Sequence, residues 1–395
     1  MKSGYRQLGE FIRQVDVRNK NLEIDNLLGV SIEKRFIPSI ANTVGTDFSS
    51  YKIVRRGQFA YGPVTSRNGN KISIAYLNDE DAIISSSYTV FEVTECDVID
   101  PEYLMLWFSR PEFDRYARFK SHGSVREIFD WDEMCKVELP VPDIEEQKKI
   151  VHAYKVIEDR INLKKRINQN LESAIQNIFQ NIFSVANISV SDTVIKNTSV
   201  PIGWVDTTVD SVAKLQTGPF GTQLHSDEYV LEGNPVINVK NIGYGSIIMQ
   251  NMDYLDDETS NRLSAHRLEF GDIVFGRKGS IDRHAFINNY CIGWIQGSDC
   301  IRIRPYDNRV GLFLYCWFGQ NFIKQLVVSS SVGSTMASLN TKILGSIRVI
   351  LPPERMLDEF YQHTASIMTV MEKNHAETHK LAILQEMMLV TLANR

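Results

Sequence analysis

The sequence predicts a chain of two α/β (α+β) globular domains, joined and spaced by two long helices that form an antiparallel coiled coil. Three observations lead to this fold class. The length of 395 residues exceeds that of a typical single domain. The two halves share an apolar pattern at a fixed offset, and each half ends in roughly 40 residues of helical periodicity. The expected architecture is therefore a pseudo-two-fold internal repeat.

The internal repeat has an offset of 210 residues, at which Trp107 aligns with Trp317. The offset continues without a gap into the helical segments, where Ile182 aligns with Leu392. Further upstream it becomes 214. The aligned segments are Tyr103–Phe108 with Phe313–Phe318, Val137–Pro142 with Ile347–Pro352, and, at 214, Gly57–Gly62 with Gly271–Gly276. Two unrelated α/β domains, the alternative explanation, would not keep one offset over this distance.

Each copy contains strand patterns, then an amphipathic helix, then a closing strand that ends at proline. Period-two alternation indicates the strands and three–four apolar spacing indicates the helices. The predicted strands are Lys71–Leu77, Tyr88–Val93 and Cys300–Arg304, the predicted helices are Tyr103–Phe119 and Leu312–Val328, and the closing strands are Val137–Leu139 and Ile347–Val349.

A long helix follows each closing strand. Asp143, with Glu146 three residues on, has the spacing of an N-terminal capping box. No Gly or Pro occurs between Asp143 and Ser184, which allows a helix of about 40 residues and about 60 Å. The middle is polar in both copies, at Lys164 and Asn168 in the first and at 374–380 in the second. Two such helices of equal length favour antiparallel pairing with the polar middles in contact, over packing of each stripe on its own domain.

The expected domain bounds follow from this pattern. We expect a first globular domain over residues 1–142 and a first long helix over 143–185. The second globular domain covers 186–352, of which 186–203 is a linker, and the second long helix covers 353–395.

The composition excludes several classes of protein. The net charge of −5 is unlike that of a non-specific DNA binder, so any nucleic-acid binding has to come from local basic clusters or from a partner that supplies charge. The five cysteines form no C-x-x-C pair, which speaks against zinc or a disulfide framework and for buried thiols in a reducing cytoplasm. No window of 18 apolar residues predicts a membrane span.

No catalytic motif is present. The sequence lacks the Asn/Asp-Pro-Pro-aromatic motif of amino-methyltransferases and the phosphate-binding P-loop. Asp143, Glu146 and Lys148 superficially resemble a nuclease site, but helix capping explains them and the second copy lacks the set. We therefore predict no catalytic residue, no metal site and no cofactor bound by this chain.

Basic, hydrogen-bonding loops are the candidate functional residues. Arg and Lys pair with guanine edges, Asn and Gln with adenine, and all of them with phosphate. The turns 65–71 and 277–284 occupy equivalent places in the two copies but differ in sequence. This is expected of two domains that bind different halves of one DNA site. Any single arginine here is otherwise an ordinary solvated residue. The candidate DNA-binding residues are Arg67, Asn68, Lys71, Arg118, Lys120 and His122 in the first copy, and Gln223, His225, Arg277, Lys278, Ser280 and Arg283 in the second. His284, like His122 and His225, is assigned to a surface or DNA-facing loop.

The order of these motifs resembles the specificity (S) subunit of type I restriction–modification systems. The segments that carry the resemblance are Gly271–Gly279, Gly333–Asn340 and Ile347–Pro353 in the second copy, and Gly123-Ser124, Leu139–Pro142 and Glu145–Gln147 in the first. The first copy departs from the pattern by lacking the threonine-containing run after Gly123-Ser124, and the second lacks Glu-Glu-Gln at its helix start.

The resemblance implies that each globular domain binds one half of an asymmetric, bipartite site in double-stranded DNA. It implies that the helices set the spacer and dock two methyltransferase subunits, to which we assign Ile157, Ile161 and Met371 as partner-binding residues. AdoMet, ATP and Mg are then expected on the methyltransferase and restriction/translocase subunits. The competing hypotheses are an enzyme that acts on DNA alone and an interaction scaffold whose end domains bind proteins or glycans.

Overall fold

The computed structural model describes residues 4–39, 45–66, 68–123, 126–184, 200–331 and 338–394. The chain divides into two compact units. The first unit consists of residues 1–161 and 381–395, and the second of residues 162–380. Each long helix therefore contributes residues to both units.

The first unit is built on a four-stranded antiparallel sheet with the order β2-β9-β6-β7. Its strands are β1 (Tyr5–Gln7), β2 (Ile12–Val15), β3 (Leu28–Val30), β4 (Phe36–Pro38), β5 (Lys52–Val54), β6 (Phe59–Tyr61), β7 (Ile74–Tyr76), β8 (Ala82–Ile84), β9 (Thr89–Val93) and β10 (Glu138–Pro140). Its helices are α1 (Pro101–Phe108), α2 (Pro111–Phe119), α3 (Trp131–Cys135) and the first part of α4 (Ile144–Ser184). Phe59 stacks on Phe91 at 4.9 Å between ring centroids and meets Phe108 of α1 edge-on, which places the core between sheet and helices.

The second unit is built on a five-stranded sheet with the order β12-β20-β17-β18-β15. Its strands are β11 (Val205–Thr208), β12 (Ala213–Thr217), β13 (Tyr229–Val230), β14 (Asn234–Ile237), β15 (Tyr244–Gly245), β16 (Asp253–Leu255), β17 (Ile273–Gly276), β18 (His284–Phe286), β19 (Ile295–Gln296), β20 (Cys300–Pro305) and β21 (Arg348–Leu351). Its helices are α5 (Val209–Val212), α6 (Asp257–Arg262), α7 (Asn308–Gly319), α8 (Asn321–Ser329), α9 (Thr341–Gly345) and most of α10 (Glu354–Thr391).

The strand pairing confirms the predicted repeat. The order β2-β9-β6-β7 of the first unit returns as β12-β20-β17-β18 in the second, where β15 is added at the edge. The closing strand β10 pairs with β1, and β21 pairs with β11, both antiparallel. Gly57 and Gly271, which precede β6 and β17, have φ of +91° and +90°, a conformation that L side chains disfavour.

The predicted amphipathic helices are each broken in two. In the first unit the break separates α1 from α2, and Pro111 is the first residue of α2, where its missing N–H costs no hydrogen bond. In the second unit the break between α7 and α8 has no proline. Gln320 is extended there, with φ −71° and ψ 136°. Apolar spacing continues across both breaks, so periodicity alone predicts one helix.

The two long helices pack antiparallel within the second unit. Phe179 of α4 lies 5.8 Å from Phe360 of α10, measured between ring centroids. The polar middles meet as predicted: Asn374 Nδ2 donates to Asn168 Oδ1 at 2.8 Å, and Lys164 Nζ donates to Asn374 Oδ1 at 2.8 Å. Residue numbers rise along α4 as they fall along α10, which gives the direction of the pair. In the first unit the end of the chain joins the core, since Leu389 belongs to the same apolar cluster as Ile150.

The buried asparagine pair predicts how substitutions change stability. Asn374→Ala leaves Asn168 Oδ1 without its donor, and we expect a loss of about 1–3 kcal/mol in the free energy of unfolding, measured by urea denaturation. The double variant Asn168→Leu/Asn374→Leu should recover that loss, because neither amide is then left unpaired and Lys164 keeps its ion pair with Glu377. Asn162→Ala, at an exposed position of α4, is the matched control and should change nothing. Equal effects of Asn374→Ala and Asn162→Ala would contradict the role of the pair.

Candidate nucleic-acid interface

In each unit, one loop between two strands of the sheet is hydrogen-bonded to the segment that precedes a short helix. In the first unit Phe129 N donates to Pro63 O of the β6–β7 loop (residues 62–73) at 2.8 Å. In the second, Leu339 N donates to Arg277 O of the β17–β18 loop (residues 277–283) at 2.9 Å. The donors differ by 210 positions and the acceptors by 214, the two offsets of the sequence repeat. The two loops are therefore equivalent in position.

A side-chain helix cap fixes the far end of each of these two segments, where α3 or α9 begins. Asp130 Oδ1 accepts from Glu133 N at 2.8 Å and begins α3, and Asn340 Oδ1 accepts from Ile343 N at 2.8 Å and begins α9. A cap of this kind contributes about 1 kcal/mol and sets where the helix starts. Each loop is thus joined by a main-chain hydrogen bond to a segment whose other end is fixed by a helix cap.

The described candidate residues of the first unit lie on the β6–β7 loop, on α2 and in the segment after α2. Thr65 Oγ1 donates to Ser121 Oγ at 2.9 Å, which joins the β6–β7 loop to the segment after α2. Ion pairs hold three of the cations, and His122 is exposed, with its backbone paired to Ile128. The ion pairs are Lys71 with Glu33 at 3.0 Å, Lys120 with Glu133 at 3.7 Å, and Arg118 with Glu127. Asn68 is half-buried in the turn, and Arg67 lies outside the described residues.

A buried ion pair under the β6–β7 loop has no counterpart in the sequence predictions. Asp114 Oδ1 of α2 accepts from Lys34 Nζ at 2.5 Å and from Ile72 N at 3.0 Å. Burial lowers the pKa of Lys34, and Asp114 opposes that shift. The partners are 80 and 42 residues away from Asp114. No local pattern could have paired them.

The candidates of the second unit fall into two groups. Arg277, Lys278, Ser280 and Arg283 lie on the β17–β18 loop, where Lys278 Nζ lies 3.2 Å from Asp299 Oδ1 and Arg277 N donates to Asp299 O at 2.7 Å. Gln223 and His225 are exposed on the loop after β12. That loop is anchored on α6, because Arg262 donates to Gln223 O at 2.5 Å.

His284 is buried, which corrects its assignment to a DNA-facing loop. Its side chain is 3% exposed, stacks on Phe275 at 5.1 Å and has Nε2 3.1 Å from Tyr315 O. Burial lowers the pKa of His284 to about 4, so the imidazole is neutral at physiological pH. The residue begins β18 and belongs to the core.

The three predicted partner-binding residues are buried or half-buried. Ile161 and Met371 are 6% and 7% exposed, and Ile157 is half-buried, so these side chains stabilise the helices rather than offer a free surface. The apolar side chains that the long helices expose are different: Val156, Leu163, Val370, Ile383, Leu384, Met387 and Val390. A partner surface on the helices has to be formed by such positions.

Two other kinds of feature do not occur among the described residues. No described helix is long and apolar enough to cross a membrane. Within the same residues, no three His, Cys, Asp or Glu side chains group together as a metal site would require. The glycine-serine segment after α8, at Gly333-Ser334, lies outside the described residues.

Comparisons with known proteins agree with the repeat and the fold. The model of a family described as the type I restriction modification DNA specificity domain matches residues 39–173 and 201–387. The chain is similar to the MjaIX type I restriction enzyme specificity subunit of Methanocaldococcus jannaschii, with 23% identity over 67% of this chain and 62% of that protein. It is also similar to the HindI specificity subunit of Haemophilus influenzae, with 26% identity over 36% of this chain and 31% of that protein. These matches span less than two thirds of either relative.

A solved structure shares the fold over almost the full length. The S subunit of a type I restriction–modification system from M. genitalium aligns with a TM-score of 0.52 and 14% identity, covering 98% of this chain and 95% of that one.

The buried imidazole predicts a pH dependence of stability. Because the pKa of His284 is about 4 when folded and 6.5 as its ordinary value, the unfolded chain gains a proton first as the pH falls. Its contribution to stability is therefore complete above pH 6.5 and is lost towards pH 4, by up to about 3 kcal/mol. Lys324 disfavours the charged imidazole and Asp282 favours it.

Melting temperatures from pH 7.5 to 4.5 measure this effect. His284→Gln should be less stable than the wild type at pH 7.5, and the difference should shrink as the pH falls. His152→Gln, at an exposed position of α4, should track the wild type throughout. A difference between wild type and His284→Gln that stays constant with pH would contradict a neutral, buried imidazole.

Proposed function

The chain belongs to the type I restriction–modification DNA specificity family, and from that premise we propose that each unit reads one half of an asymmetric, bipartite DNA site. The observation that carries this proposal is the pair of closed loops. The same main-chain hydrogen bond holds Pro63 in one unit and Arg277 in the other. At the next position, bridge pairing holds Val64 in one unit and Lys278 in the other.

The two loops are held by the same main-chain contacts but carry different side chains, which favours the binding of different half-sites. Arginine and lysine at 277 and 278 match guanine edges or phosphates, whereas proline and valine at 63 and 64 offer only apolar contacts, such as those made to a thymine methyl group. In the first unit the polar contacts then come from Asn68, Lys71 and His122. A palindromic site would need two equal sets, so an asymmetric site fits this chain better.

The long helices are proposed to set the spacer between the half-sites. Helix α4 has 41 residues, which corresponds to about 60 Å at 1.5 Å per residue. Proteins that read two half-sites match their spacing to the repeat of the DNA groove. The buried Asn168–Asn374 contact favours one register of α4 on α10, and a fixed register is what a spacer of constant length requires.

The helices are also proposed to dock two methyltransferase subunits through exposed apolar positions such as Val156, Leu163 and Met387. The net charge of −5 supports a requirement for partners that add positive charge around DNA. In this proposal the chain itself is not catalytic. AdoMet is bound by the methyltransferase subunits, and ATP and Mg by restriction/translocase subunits.

Binding by the reconstituted complex tests the proposed function. Methylation-sensitive sequencing of host DNA gives the site, and fluorescence anisotropy then compares a duplex that carries it with a scrambled duplex at physiological salt. We expect the complex to prefer the site by at least about 1,000-fold and the isolated chain to bind both duplexes weakly. Equal affinity of the complex for both duplexes, or methylation or cleavage by the purified chain alone, would overturn the proposal.

Loop variants test the assignment of one half-site to each unit. Lys278→Ala should relax sequence preference only in the half-site of the second unit, and His122→Ala only in the half-site of the first, by roughly 1–3 kcal/mol, the usual cost of removing a base contact. Each variant is the control for the other. Sequencing the methylated sites of strains that carry each variant gives the result, and identical changes with both variants would refute the assignment.

A further inference from the structure

One exposed aromatic side chain in the second unit gathers two cations. Tyr244, at the start of the edge strand β15, is 60% exposed. The guanidinium carbon of Arg283 lies 5.2 Å from the centre of its ring, and Lys324 Nζ lies 5.6 Å from the same point. The tyrosine hydroxyl donates to Asp282 Oδ2 at 3.0 Å. The three side chains come from β15, the β17–β18 loop and α8.

Neither cation forms a close ion pair. Among the described residues neither Arg283 nor Lys324 has a carboxylate oxygen within 4.0 Å of its nitrogens, whereas Lys278 on the same loop does. Both lie within 5.6 Å of one ring centroid, so they are no more than about 11 Å apart. A phosphate bound beside the ring would give both cations the anionic partner that they lack.

The equivalent position in the first unit holds a buried ion pair. Lys324 aligns with Asp114 at the offset of 210 residues, and Asp282 aligns with Ile72. Asp114 accepts from Ile72 N and from Lys34 Nζ, so that both charges are paired and buried. The same helix position therefore carries a neutralised carboxylate in one unit and an ammonium beside an arginine in the other.

We propose that Tyr244, Arg283 and Lys324 form a phosphate clamp that binds one backbone phosphate of the half-site read by the second unit. The inference rests on the proposed function and names the contact that positions this unit on DNA. Tyr244 is the positioning residue, because its ring orients both cations through cation–π contacts. Arg283 and Lys324 contact the phosphate oxygens. A phosphate is the better ligand than a base edge, because one anion can pair with two cations that come from different elements, the β17–β18 loop and α8.

The salt dependence of DNA binding tests the clamp. Lys324→Gln and Arg283→Gln, each in the complex with methyltransferase subunits, are measured on the duplex with the full site and on one with the second half-site altered. Both variants should weaken binding to the two duplexes by the same factor, roughly three- to tenfold. The slope of log K against log salt should become less steep by about 0.9 for each phosphate that the variant no longer neutralises. Lys214→Gln is the charge-matched control, since Lys214 is exposed on β12 at the opposite edge of the sheet.

Two tyrosine variants separate positioning from direct contact. Tyr244→Leu should lose affinity like the charge variants although it removes no charge, whereas Tyr244→Phe keeps the ring and should bind like the wild type. Melting temperatures of all variants establish that the unit stays folded.

The possible results distinguish the clamp from the proposed function. A loss of preference confined to the second half-site would indicate a base contact and overturn the clamp. Binding by Lys324→Gln and Arg283→Gln that matches Lys214→Gln would overturn it too, while leaving the proposed function intact. A wild-type complex that fails to discriminate the duplexes would refute the proposed function itself.

Discussion

In both units one main-chain hydrogen bond closes the loop that carries the candidate DNA contacts. Phe129 N donates to Pro63 O, and Leu339 N donates to Arg277 O. The bond uses only backbone atoms, so the acceptor residue can change without loss of the hydrogen bond. Proline is accepted at 63 because the bond needs its carbonyl and not an N–H. The frame can therefore remain the same while the side chains on the loop change, and the different chemistries of the two loops depend on this freedom.

The features that the sequence predicts well are those repeated in it. The closing strands, the glycines before β6 and β17, and the long helices each appear twice at a fixed offset, and the pairings of β10 and β21 confirm them. The polar middles are predicted to meet because both stripes are interrupted at the same place, and Asn168 does contact Asn374. Because the chain contains two copies, a pattern found in one copy can be checked in the other, which is not possible for a single domain.

The features that the sequence could not give depend on tertiary packing. His284 begins a strand next to a basic turn, and only the packing of Phe275 and Tyr315 shows that the imidazole is buried. Ile161 and Met371 belong to the apolar stripe, but that stripe forms the buried side of the helices. The Lys34–Asp114 pair and the cations on Tyr244 join residues far apart in the chain. The periodicity of a sequence indicates which positions are apolar, but it does not indicate which polar side chains contact each other.

The edge strand that carries Tyr244 is tied directly to a long helix. Tyr315 Oη lies 2.6 Å from Glu172 Oε1 of α4 and 2.7 Å from Gly245 O of β15. A hydroxyl has one proton for these two acceptors, so the geometry is satisfied when Glu172 is protonated and donates to Tyr315, which in turn donates to Gly245. Burial raises the pKa of Glu172, in agreement with this arrangement.

Gly245 leaves no choice of residue at this junction. Its φ is +90°, and a Cβ there would lie 2.6 Å from Tyr315 Oη. The backbone of β15 can approach the tyrosine hydroxyl only because no side chain intervenes. Gly245, one residue after Tyr244, is thus tied to Glu172 through the hydroxyl of Tyr315. A shift of Glu172 relative to this sheet would therefore have to break this hydrogen-bond chain or move Gly245 with it.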